Sequence, residues 1–105
     1  MENVKIYDTI RKTVQSNLPD SRIVLFGSRA RGDNDRLSDY DLLIITPSKF
    51  TQQEKIHWST RLDREIIKAI KAPVDVLLSS EEEVSWQKVL PGHIIRTALR
   101  EGIAL

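Results

Sequence analysis

Three short apolar runs constrain this chain more than any other feature: RIVLF at 22–26, DYDLLIIT at 39–46 and VDVLL at 74–78. Each is bounded by a backbone breaker, with Gly27 after the first, Pro47 after the second and Pro73 before the third. Branched apolar runs of this length between such residues read as buried strands. Elsewhere the apolar period changes. Ile6, Ile10, Val14 and Leu18 recur every four residues over 3–18, one stripe of an amphipathic helix that Leu18-Pro19-Asp20 ends. Thr51 and Glu54 have the spacing of a capping box and open a helix whose stripe is Leu62, Ile66 and Ile70. Ser80 and Glu83 repeat that spacing, so Glu81-Glu82-Glu83 reads as a helical first turn favoured by the dipole. After Leu90-Pro91-Gly92, HIIRTALREG predicts a last helix stopped by Gly102.

The order α-β-β-α-β-α-α has no internal repeat and no long linker. The first two strands can pair antiparallel across the loop between them, and the third, arriving after a helical crossover, can lie parallel to the second. The expected fold is therefore α+β, a two-layer arrangement with a small mixed sheet of about three strands and helices packed on it. A length of 105 residues predicts a single domain over 1–105, with one modest core and no second substrate-binding domain. The absence of cysteine removes thiol catalysis, disulfides and zinc–thiolate sites, and fits a reducing cytoplasm. No stretch approaches the roughly 18 apolar residues of a membrane-spanning helix, and MENVKIYDTIRK has no apolar leader core. These features predict a soluble, cytoplasmic protein without a membrane partner. A net charge of +1 makes no case for nucleic-acid binding, so any anion must be held by local clustering.

Two strands carry acid where the core should be. Asp39 and Asp41 are two apart and so project to the same side at the mouth of the second strand, within reach of one cation. Asp75 interrupts the third strand between Val74 and Val76. For Asp39 a turn or strand-start role is the ordinary reading of Ser-Asp. For Asp41 and Asp75 the ordinary reading is an arginine partner, because an ionised carboxylate in a core strand must be paired or bind a metal. The alternative is a metal site: three carboxylates on adjacent strands suit Mg²⁺, which keeps some water and shares phosphate oxygens. Two rival motifs fail. An EF-hand loop begun at Asp33 would place Ser38 where glycine is needed and Ile44 where glutamate is needed. A Walker A loop over Gly27–Gly32 would be followed by Lys and Ser/Thr, yet Asp33-Asn34 stand there.

Gly27 and Ser28 come directly off the first strand. A glycine there lets the backbone approach a phosphate, the next residues can open a short helix with its N–H groups facing the anion, and the Ser28 hydroxyl adds a donor. Arg29, Arg31 and Arg36 supply cations that can clamp a polyphosphate or a partner's carboxylates, though loop arginines are ordinarily solvated.

Taken together, G27-S-R-A-R-G32 followed by S38-D-Y-D41 resembles the signature of the polymerase-beta-type nucleotidyltransferase superfamily, and more closely its minimal MNT members. Gly27, Ser28, Ala30, Gly32, Ser38, Asp39 and Asp41 fill the signature positions, and Asp75 stands where the family carries its third carboxylate. The resemblance covers about residues 20–80, and the later Arg100-Glu101-Gly102 is also similar to small members. It implies transfer of a nucleoside monophosphate, AMP from ATP, with Mg²⁺ held by Asp39, Asp41 and Asp75. Asp41 would be the bridging ligand, and Asp75 would assist deprotonation of the acceptor. Gly27 and Ser28 would seat the β/γ-phosphates, with Arg29 and Arg31 as further triphosphate or acceptor contacts. It also implies a partner: small MNT proteins often act as antitoxins that pair with a HEPN-type toxin and adenylylate its tyrosine. The contrasting reading is a non-catalytic binding module that neutralises a toxin by occlusion. His57 and His93 have no ligand spacing and are read as surface or helix residues, and Trp58 and Trp86 as helical core or interface anchors.

Overall fold

The computed structural model describes residues 2–105. Its elements run α1 (Glu2–Asn17), β1 (Arg22–Phe26), α2 (Ser28–Arg31), β2 (Tyr40–Thr46), α3 (Gln52–Ile70), β3 (Val74–Ser80), α4 (Glu81–Gln87), α5 (Ile94–Glu101) and β4 (Ile103–Ala104). The strands form one sheet in the order β3-β2-β1-β4. β1 pairs antiparallel with β2, and β2 pairs parallel with β3, as the strand order and crossover predict. The sheet has four strands rather than three. β4 is two residues long and pairs antiparallel with β1, Val24 facing Ala104 and Leu25 facing Ile103. A two-residue strand has no period to read, which is why the sequence pattern does not announce it.

Alternation along the strands divides the core. Ile23, Leu25, Tyr40, Leu42, Ile44, Val74 and Leu78 pack with Ile10 and Val14 of α1 and Leu62 and Ile66 of α3. The opposite sides of the same strands present Val24, Phe26, Leu43 and Ile45 to Val84 of α4 and Ile95 and Ala98 of α5. The main helical layer is thus α1 with α3, and α4 with α5 adds a shorter cover on the other face. Burying each Leu or Ile side chain contributes about 1.5–3 kcal/mol, so Leu62 and Ile66, both fully buried, anchor α3. The predicted helix starts are present: Thr51 with Glu54, and Ser80 with Glu83, each close a reciprocal capping box. Among the described residues no helix is long and apolar enough to cross a membrane.

Candidate active site

The site assembles where β1 ends and β2 begins. Gly27 has φ +75° and ψ −158°, a conformation that favours glycine, and a Cβ there would collide with Oδ2 of Asp41. The turn is held on both sides. Its carbonyl accepts from the N–H groups of Ala30 and Arg31, each at 3.0 Å, which starts the single turn of α2. Its N–H donates to Oε1 of Glu101 at 3.0 Å. Gly32, at φ +86°, ends α2 in the left-handed region, with its N–H on the Ser28 carbonyl at 2.9 Å.

Asp41 and Asp75 are direct partners in the parallel β2/β3 ladder, and Phe26 faces Asp41 across β1. Asp41 shares its side of β2 with Leu43 and Ile45, so the carboxylates open on the α4/α5 face, at the end of the sheet beside the Gly27 turn. Asp39 lies two residues before Asp41, just outside the strand. Asp41 is half-buried, whereas Asp39 and Asp75 are exposed. The sequence places Asp75 inside a core strand; in the fold β3 is an edge strand, so that carboxylate meets solvent. The arginine-partner reading has no support in the geometry. Among the described residues none of the three aspartates makes an ion pair or a side-chain hydrogen bond. Burial, reinforced by the charges of Asp75 and Asp39, raises the Asp41 pKa above its ordinary value; Arg31 opposes this and Glu101 adds to it. Among the described residues no group of three or more acidic, imidazole or thiolate side chains is placed to hold a metal ion by itself. The arrangement is an open one.

The arginines are engaged within the chain. Arg29 donates through Nε and Nη2 to the Ser38 carbonyl at 3.2 and 3.1 Å, and its guanidinium lies 4.3 Å from the Tyr40 ring centre. It therefore ties the polar loop to the start of β2. Arg31 is bound on both sides, by Asp33 at 3.1 Å and by Glu101 at 3.1 and 3.2 Å. Arg36 is exposed.

Two further residues enter the site, Glu101, whose one sequence signal is the resemblance of Arg100-Glu101-Gly102 to small MNT members, and Asp63, which has none. Glu101 reaches the Gly27 turn from the last position of α5. Asp63, on α3, shares a hollow of about 290 Å³ with Ser59, Thr60 and Asp75 around the edge of β3. Burial and then the charge of Asp75 raise its pKa. A larger concavity of about 870 Å³, between α1 and β4, is lined by Val4, Tyr7, Asp8, Arg11 and Leu105 and contains none of Asp39, Asp41 and Asp75. The histidines stay outside the site: His57 is exposed on α3, and His93 caps α5 by accepting from Ile95 N–H at 3.1 Å. Trp58 packs partly against the α1/α3 core, while Trp86 is exposed together with Val89, Leu90 and Ile94.

A glycine turn appressed to clustered carboxylates at a strand mouth defines a class, and comparison with known proteins agrees. The profile of the family described as "Nucleotidyltransferase domain" matches residues 7–105, and the chain belongs to that family. It is 42% identical over 57 residues to the "Putative protein adenylyltransferase MJ0141" of Methanocaldococcus jannaschii, a match that covers 52% of this chain and 58% of that protein. The chain thus spans less than two thirds of that relative. Its fold is similar to a chain of a toxin–antitoxin crystal structure with AMP-PNP, with a TM-score of 0.68 at 20% identity, covering 92% of this chain and 69% of that one. It is also similar to a chain in the complex of tri-AMPylated Shewanella oneidensis HEPN toxin with MNT antitoxin, with a TM-score of 0.59 at 18% identity, covering 99% and 71%.

Proposed function

We propose that this chain is a Mg²⁺-dependent nucleotidyltransferase that moves AMP from ATP to a hydroxyl of a partner protein in the cytoplasm, namely a tyrosine of a HEPN-type toxin, and so acts as an antitoxin. The observation that carries the reading is the pairing of Asp41 with Asp75 beside the Gly27–Ser28 turn, with no ion pair to either among the described residues. Nothing in folding calls for that pairing. A polyphosphate accompanied by a divalent cation does.

The donor set fits Mg²⁺. That ion is commonly held by one or two carboxylates together with substrate phosphates rather than by an all-protein cage, and the paired carboxylate residues Asp41 and Asp75 suit that mode. Asp39, Asp41 and Asp75 would hold it, and when bound it would neutralise triphosphate charge and polarise the α-phosphorus. Gly27 brings backbone close to the phosphates, and the Ser28 hydroxyl donates to a β- or γ-oxygen. Arg29 keeps the loop in place, and Arg31 stands at the rim beside the phosphates. The acceptor enters from the exposed edge of β3. Its oxygen forms a bond to the α-phosphorus while the bond to the pyrophosphate oxygen breaks, and Asp75 takes the proton. The M. jannaschii relative is named for protein adenylylation, and one fold neighbour is complexed with an AMPylated HEPN toxin; both support the choice of acceptor.

Incubation with labelled ATP, Mg²⁺ and the candidate HEPN-type partner tests this. Label on a partner tyrosine, mapped by mass spectrometry, is expected, together with poor turnover by the chain alone, because the partner orients the nucleophile. Neutralisation of the toxin without label would instead favour occlusion. Robust transfer to small alcohols would remove the protein acceptor.

A further inference from the structure

We infer that Glu101 is a positioning residue of the triphosphate site, holding the Gly27–Ser28 turn in its phosphate-facing conformation and tethering Arg31 beside it. The inference rests on the nucleotidyltransferase reading and deepens it. The argument begins with register. β4 pairs with β1 so that Ala104 faces Val24 and Ile103 faces Leu25, and Leu105 N–H bonds the Ile23 carbonyl at 2.9 Å. Continuing that register places Gly102 opposite Phe26 and Glu101 opposite Gly27. Gly102 makes the approach possible: a Cβ there would collide with the Ala98 carbonyl and the Val24 side chain. The short strand and the glycine therefore deliver one carboxylate to one turn.

What that carboxylate does there is specific. Oε1 accepts from Gly27 N–H at 3.0 Å and from Arg31 Nη1 at 3.1 Å, and Oε2 lies 3.2 Å from the same nitrogen. The Gly27 peptide is then fixed at its N–H by Glu101 and at its carbonyl by Ala30 and Arg31. Ser28 follows directly, so its hydroxyl and N–H inherit that orientation. The Glu101 side chain is partly buried, at 20% exposure, and a carboxylate with two charge-assisted contacts is a stiff anchor.

The sign of the effect separates positioning from simple electrostatics. By charge alone, removing an anion beside a triphosphate should tighten ATP binding. Loss of an anchor should weaken it, and only for ligands that reach the turn. The test is the ratio of ATP to AMP affinity, measured by calorimetry at fixed Mg²⁺ for the full chain and its Glu101→Ala and Glu101→Gln variants. AMP lacks the β- and γ-phosphates and reports the rest of the site. Glu101→Ala is expected to lower the ratio about tenfold, as for a lost hydrogen bond to a charged group. Glu101→Gln keeps an acceptor for Gly27 N–H but loses the ion pair, and is expected to lower it about threefold. A ratio that is unchanged or raised in both variants, or equal weakening of ATP and AMP, overturns the inference. Should Glu101→Ala fail to fold, Glu101→Gln carries the test alone, and an unchanged ratio in it is decisive against. A parent chain that shows no preference for ATP over AMP would instead remove the nucleotide reading itself, and this inference with it.

Discussion

The two ends of the β2/β3 ladder treat their carboxylates in opposite ways. At one end Thr46 pairs with Ser80, and next to them Glu83 is buried yet fully satisfied. It accepts from Ser80 N–H at 2.9 Å and from Lys55 Nζ at 2.7 Å, and its own N–H returns to the Ser80 hydroxyl at 3.1 Å. Burial alone would raise its pKa, but the Lys55 and Ser80 contacts outweigh that and hold it below the ordinary value. Five residues along the same ladder, Asp41 faces Asp75 with no such partner, and its pKa moves up. One ladder thus has beside one end an acid of α4 neutralised for structure, and at the other end acids left facing one another. The chain has cations to spare, so the difference is one of placement: Arg29 and Arg31 stand near the aspartates but are engaged elsewhere.

The largest expected effect is on chemistry. Asp39→Asn combined with Asp41→Asn should reduce transfer to the partner by at least about 100-fold while the protein stays folded, since even indirect supports of metal ligands are worth about 10–100-fold. Near-normal transfer in label-incorporation assays would make the two ends alike, both structural. Next in size is Glu83→Gln, which leaves Lys55 without its carboxylate and should destabilise the fold by about 1–3 kcal/mol in urea unfolding. Transfer should be retained, because Glu83 lies at the far end of the ladder.

The contrast sharpens in the absence of metal and nucleotide. Asp41→Asn removes one of the mutually repelling charges at nearly constant shape, so the ligand-free variant should be as stable as the parent or up to about 1 kcal/mol more so. Mg²⁺ with ATP should then raise the Tm of the parent and barely move that of the variant. A ligand-free variant that melts well below the parent would mean that Asp41 has a structural partner after all.

The smallest effect is in pH. Asp41 has a folded pKa above its unfolded one, so its charge opposes folding at neutral pH. That penalty is relieved as pH falls through the folded pKa and is gone below the unfolded value, about 3.9. Glu83 has a depressed folded pKa, so its contribution is present above the unfolded value, about 4.3, and is lost as pH falls through the folded one. In thermal melts between neutral and acid pH, the stability advantage of Asp41→Asn and the deficit of Glu83→Gln should therefore both shrink on acidification. Differences that stay constant with pH would show that neither arises from charge.

Much of this contrast was legible before any coordinates. The capping box at Ser80 and Glu83, the closeness of Asp39 to Asp41, and the Gly27 turn all follow from local spacing, and local spacing survives folding. What was hidden depends on separation. Lys55 meets Glu83 only because α3 crosses the sheet, and Asp63 meets Asp75 only because β3 is an edge. Glu101 meets Gly27 only through a strand too short to carry a pattern. The exposure of Asp75 is hidden for the same reason, since an apolar run looks the same whether its strand lies inside a sheet or at its rim.

The reach from Glu101 to Gly27 also sets an order in time. The contact joins residues 74 positions apart, whereas β1 and β2 meet across a single polar loop. Closing the longer loop carries the greater entropic penalty and comes late when chains fold from local contacts outward. During synthesis the glycine turn and the first two aspartates emerge long before the carboxylate that braces them. A nascent chain therefore has its apolar sheet under way while the Gly27 turn still lacks its Glu101 contact. Under the proposed reading, the turn that would seat the phosphates is braced only once residues 101–104 have docked on β1.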